Sequence, residues 1–127
     1  MKSLSEIVSS FMGTFNTGDF GAMLEFFSEG SVYIDPYGVE HNGVSAIGDA
    51  LAPSFEVSDS KSHYQITSTI IDEGQSMALV TWTLVITAPD GTKSAIDGLD
   101  ILHVQDGKIV LKNAFCKANE LTIRKVA

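Results

Sequence analysis

The sequence predicts an α+β domain in which three N-terminal helices pack on a curved, mainly antiparallel sheet. Apolar residues recur at helical spacing up to Leu51, and from His63 onward the chain turns to runs rich in Val, Ile, Thr and aromatics. Turn-forming triplets separate those runs, so helices come first and a strand meander follows, which is the pattern of segregated layers. At 127 residues, 44% of them hydrophobic, the chain suits one domain with one core over residues 1–127.

The first helix is predicted over Leu4–Phe15, where Leu4, Ile7, Val8, Phe11, Met12 and Phe15 form one face and Asn16-Thr17-Gly18 supplies a stop. Asp19 can cap a second helix, whose face of Phe20, Met23, Leu24 and Phe27 ends at Glu29-Gly30. A short strand, Val32-Tyr33-Ile34, then ends in Asp35-Pro36-Tyr37-Gly38. After a loop at His41-Asn42-Gly43, Val44, Ile47 and Leu51 mark a third helix, with Pro53 close to its end. Four strands follow: His63–Ile71, Met77–Thr87, Lys93–Val104 and Lys108–Cys116. Asp72-Glu73-Gly74, Pro89-Asp90-Gly91 and Gln105-Asp106-Gly107 turn between them.

A net charge of −8 with eight scattered Lys and Arg leaves no basic stripe to follow phosphates, so nucleic acid and anionic membrane are not expected partners. The N-terminus reads unlike a signal peptide, and no apolar run is long enough to cross a bilayer; a cytoplasmic protein is expected. Cys116, the one cysteine, has no internal disulfide partner and reads as a buried thiol. His41, His63 and His103 lack metal-ligand spacing, and no Gly-x-Ser-x-Gly elbow occurs. Neither a metal nor a cofactor is expected.

Asp35 is the first candidate for chemistry. A carboxylate at the end of an apolar strand is expected to be desolvated, which raises its pKa and suits it to act as a general base. His41 lies just beyond it, either as an exposed loop residue or at a pocket entrance. Strand alternation sorts the remaining polar residues. Asp100 shares a face with Ile96, Gly98, Leu102 and Val104, whereas Asp97 falls on the other. Asn113 is expected inside with Ile109, Leu111 and Phe115, and Trp82 inside with Val80, Leu84 and Ile86 as a wall or core residue.

Four segments carry a resemblance: Phe15-Asn16-Thr17-Gly18-Asp19, Asp35-Pro36-Tyr37-Gly38, Asn42-Gly43-Val44-Ser45-Ala46-Ile47 and Asp106-Gly107-Lys108-Ile109. In that order and spacing they resemble the ketosteroid isomerase and SnoaL-like polyketide cyclase branch of the superfamily named for nuclear transport factor 2. The resemblance implies a cone-shaped fold with an apolar pocket, frequently dimeric through the sheet, and therefore a homodimer and an apolar small-molecule ligand. It further implies that Asp35 shuttles a proton beside a carbonyl, next to an oxyanion hole formed by a tyrosine and a protonated aspartic acid.

Carried onto this chain, the tyrosine position holds Phe11, which cannot donate a hydrogen bond, and a supporting tyrosine is replaced by Leu51. The protonated carboxyl falls on Asp100 counting back from the last hairpin, or on Asp97 counting forward; strand parity favours Asp100. The expected catalytic set is therefore Asp35, Asp100 and Asn113, with Phe11, Tyr33, Tyr37, Leu51, Trp82 and Phe115 around the ligand. Tyr33, Tyr37 and Tyr64 are wall residues with phenolic donors. The implied function is a cofactor-independent isomerase or cyclase acting on an apolar carbonyl compound; the alternative is a ligand-binding or dimerisation module of the same fold.

Overall fold

A computed structural model describes residues 2–118 and 124–126. Helix α1 (Leu4–Thr17) begins in a reciprocal capping box. Ser3 Oγ accepts from the Glu6 amide at 3.1 Å while Glu6 Oε1 accepts from the Ser3 amide at 3.3 Å. Gly18, at φ 70°, closes it in the left-handed conformation. Ile7, Val8, Phe11 and Met12 are its buried face.

Helix α2 (Phe20–Leu24) is capped by Asp19, whose Oδ1 accepts from the Ala22 amide at 3.0 Å. It stops short of the expected Glu29-Gly30 because Phe26 and Phe27 both pack against Phe11, each with ring centroids 5.5 Å from it. A regular helix sends adjacent side chains about 100° apart, and the chain leaves it here through turns with i→i−3 bonds. Strand β1 (Val32–Ile34) and a strand missed in sequence, β2 (Glu40–Asn42), flank the Asp35 turn and pair antiparallel. Helix α3 (Gly43–Leu51) runs on into a 3-10 turn over Ala52–Phe55 that accommodates Pro53.

The remaining strands are β3 (Lys61–Asp72), β4 (Met77–Thr87), β5 (Lys93–Gln105) and β6 (Lys108–Cys116). They complete a six-stranded sheet in the order β2-β1-β6-β5-β4-β3, antiparallel except where β1 lies parallel to β6. The helices cover one face, and Phe11, Met23, Ile47, Leu102 and Ile109 form the fully buried centre. Among the described residues, no helix is long and apolar enough to cross a membrane.

Two one-residue bulges shape the sheet. In β3 the register moves from Ile66↔Trp82 to Ser68↔Thr81, leaving Thr67 without a partner. In β6 it moves from Val104↔Ile109 to His103↔Leu111, leaving Val110 without one. Directly paired residues share a face, so the second bulge reverses the alternation of β6. Ile109 points inward, and beyond the bulge Lys112, Ala114 and Cys116 do so too, opposite Leu102, Asp100 and Gly98. Asn113 and Phe115 are therefore on the outer face, contrary to the uniform alternation assumed from sequence.

Candidate active site

The Asp35 carboxylate sits at the rim of the concave face. Beyond β1 the chain makes a tight turn in which the Gly38 amide donates to Asp35 O at 2.9 Å, and Gly38 takes φ 85°. Asp35 Oδ1 accepts from the amides of Tyr37 (2.9 Å) and Val39 (3.0 Å). Its Oδ2 accepts from His41 Nε2 at 3.0 Å. β2 makes that last contact by setting His41 opposite Tyr33, and the two rings stack with centroids 5.4 Å apart. His41 is thus a strand residue facing the site, not part of an exposed loop.

These donors overturn the expected rise in the Asp35 pKa. Partial burial pushes the carboxyl up, but the bonds from His41, Val39 and Tyr37 outweigh it and hold the group below its ordinary value. Asp35 and His41 keep side-chain exposures of only 18% and 22%, enough for solvent or a ligand to reach both.

Deeper in, Lys112 Nζ lies 2.9 Å from Asp100 Oδ1. The contact is a close ion pair, although its angles fall outside those of a directed hydrogen bond. The same ammonium stands over the rings of Tyr33 (5.3 Å) and Phe15 (5.7 Å), which supply attractive π faces in place of water. A lysine therefore stands beside the Asp100 carboxyl, the group to which the resemblance gives the part of the neutral acid. Asp97 points the other way, its Oδ1 accepting from Thr83 Oγ1 at 2.6 Å on the outer face.

Contacts join these groups into one arc. Trp82 meets Tyr64 edge-on at 5.1 Å, Tyr64 meets Phe15 at 5.7 Å, Phe15 and Tyr33 flank Lys112, and Tyr33 leads through His41 to Asp35. Burial, with Asp100 and Asp35 nearby, raises the Tyr33 phenol far above its ordinary range; burial and Asp100 raise Tyr64 to about 12. Both phenols are neutral donors at physiological pH. Cys116 faces the same side half-buried, its thiol pushed up by burial and by Asp100 against the pull of Lys112.

Of the expected site residues, the structure brings together Asp35, Asp100, Tyr33 and Trp82. Asn113 is on the outer face, paired across to Ile101, and cannot join Asp100. Phe115 is there too, 49% exposed, and Tyr37 is 93% exposed on the Asp35 turn, so neither encloses a ligand on the concave side. Phe11 and Leu51 are buried in the core, Phe11 without any exposure. Lys112 was missed because uniform alternation put it outside. A lysine in the middle of a stretch that is apolar from Ile109 to Cys116 except for itself and Asn113 was the one available signal.

Comparisons agree with this architecture. No curated protein sequence matches the chain. Among solved structures, the epoxide hydrolase/cyclase-like enzyme SalBIII, which has a role in pyran ring formation in the polyether salinomycin, superposes with a TM-score of 0.77 at 21% identity, over 90% of each chain. An NTF2-like protein of unknown function from Mesorhizobium loti gives 0.74 at 22% identity, over 91% of each chain. A candidate SnoaL-like polyketide cyclase from Shewanella putrefaciens CN-32 also gives 0.74, at 13% identity, over 91% of this chain and 90% of that one. At these identities the likeness is one of fold. The family model of the SnoaL-like domain matches residues 8–112, and with most of the chain inside that match, the protein belongs to the SnoaL-like domain family.

Proposed function

We propose that this protein is a cofactor-independent isomerase or cyclase that moves a proton on an apolar carbonyl compound, with Asp35 and His41 as the proton-transfer unit. The observation that carries this reading is the 3.0 Å bond between His41 Nε2 and Asp35 Oδ2 at the rim of an aromatic-walled concave face. A proton leaves a carbon next to the carbonyl for this pair, and the electron pair of the broken C–H bond moves into the carbonyl as an enolate. The Lys112 ammonium, further inside, offsets the developing charge. Return of the proton to a different carbon completes an isomerisation. Attack of the enolate carbon on a second carbonyl carbon of the same molecule closes a ring, the π electron pair of that carbonyl moving to its oxygen, which takes the proton back from the pair of side chains.

The SnoaL-like family and the cyclase-like names among its structural neighbours support this class of reaction. The test uses a β,γ-unsaturated cyclic ketone such as 3-cyclohexen-1-one, whose conversion to the conjugated enone is followed by ultraviolet absorbance. Asp35→Asn is expected to lower the rate by roughly 10²–10⁴, the usual worth of a positioned acid or base. Unchanged turnover would sink the assignment.

The complete burial of Phe11 favours the second reading, a ligand-binding module without turnover, because no phenol stands there to hold an enolate oxygen. Binding of the ketone with no conversion above the buffer rate would select it. The expected homodimer is proposed to use the outer sheet face, where Ile70 (60%) and Phe115 (49%) are exposed. Sedimentation of the wild type against Phe115→Glu checks that contact.

A further inference from the structure

On the concave face, Trp82 Nε1 is a fully buried donor with no partner among the described residues. Buried donors are nearly always paired, and an orphan is costly, so this one lacks an acceptor that a ligand can supply. The position of this indole is built. Trp82 pairs across to Gly98, and a Cβ there would lie 2.7 Å from Trp82 Cζ2, the ring atom one bond from the carbon that bears Nε1. Only a glycine leaves room for that edge of the ring to lie across β5. Tyr64 braces the indole from β3, and the next inward position of β5 is Asp100, with Lys112 beside it.

We propose that Trp82 Nε1 is the donor that receives the ligand's carbonyl oxygen, and that the site selects an uncharged, flat ring ketone over the corresponding hydrocarbon or carboxylate. This rests on the acid/base reading above and adds the group that chooses the substrate. The rings of Phe15, Tyr33 and Tyr64 on the arc suit a flat apolar body. The charges argue against a carboxylate: two acidic side chains, Asp35 and Asp100, line the same side as the single ammonium of Lys112.

Trp82 is the one tryptophan of the chain, so its indole gives a single ¹⁵N–¹H resonance that reports directly on this donor. Titration with 2-acetylnaphthalene is expected to move that resonance downfield. Calorimetry is expected to give this ketone about five- to tenfold tighter binding than naphthalene, the worth of one hydrogen bond. 2-Naphthoate is expected to bind more weakly than the ketone, and Trp82→Phe to abolish the preference over naphthalene. An unmoved indole resonance, or a preference that survives Trp82→Phe, overturns the proposal; the resonance is read on the wild type and does not depend on the variant folding. Turnover enters none of these measurements. An Asp35→Asn protein that still converts the enone probe would defeat the acid/base reading alone, and a silent indole would defeat this one alone.

Discussion

Lys112 and Asp100, which face the interior from adjacent strands, form an ion pair at 2.9 Å with side-chain exposures of 7% and 2%. Neither charge has bulk water to fall back on, so each depends on the other. Breaking such a pair leaves an uncompensated buried charge, which costs about 3–5 kcal/mol, whereas replacing both partners with apolar groups is often neutral or stabilising. Lys112→Met is expected to show this loss in urea denaturation, and Lys112→Met with Asp100→Leu to recover most of it. Equal losses in the single and double variants would contradict the coupling.

His41 bonds Asp35 Oδ2 and stacks on Tyr33, yet it is partly exposed. His41→Ala is therefore expected to leave the fold intact by circular dichroism while slowing isomerisation of the enone probe by about 10²-fold or more. A rate within twofold of wild type would reduce His41 to a structural neighbour.

The lowered pKa of Asp35 has a definite sign in stability. A carboxyl whose folded value lies below its unfolded value, about 3.9, stabilises the fold above that pH. The contribution is lost as pH falls through the folded value. Carboxyl ¹³C NMR is expected to find Asp35 titrating below an ordinary aspartate, and His41→Ala to move it upward by removing one donor. A value above the ordinary one would restore the desolvated-base picture.

Gly98 is expected to resist even alanine. A Cβ at this position would come within 2.5 Å of Phe115 O and 2.7 Å of Trp82 Cζ2, and both the backbone of β6 and the indole are confined. Gly98→Ala is expected to destabilise by about 1–3 kcal/mol, the usual range for overpacking, and to shift tryptophan emission. Wild-type stability and emission would mean that the indole has room to move.

The helices and the four long strands were legible because their signals are local. The 3.6-residue period of α1, the cap at Asp19 and the hairpin turns each act within a few residues of chain. β2 was not legible: Glu40-His41-Asn42 is polar, has no alternation, and becomes a strand only because β1 lies beside it. The Asp35 environment was misread for a related reason. Burial was inferred from apolar neighbours in sequence, whereas the charge is governed by two amides of its own turn and by an imidazole brought in by β2.

By itself, then, the sequence determined an α+β domain with its helices and long strands in order, placed Asp100 and Trp82 on an inward face, and marked the Asp35 turn, since periodicity and turn chemistry are properties of short segments. The tertiary structure alone decided that Lys112 rather than Asn113 joins Asp100. One unpaired residue, Val110, reverses every side chain after it, and a bulge is a relation between two strands that the periodicity of either one does not reveal.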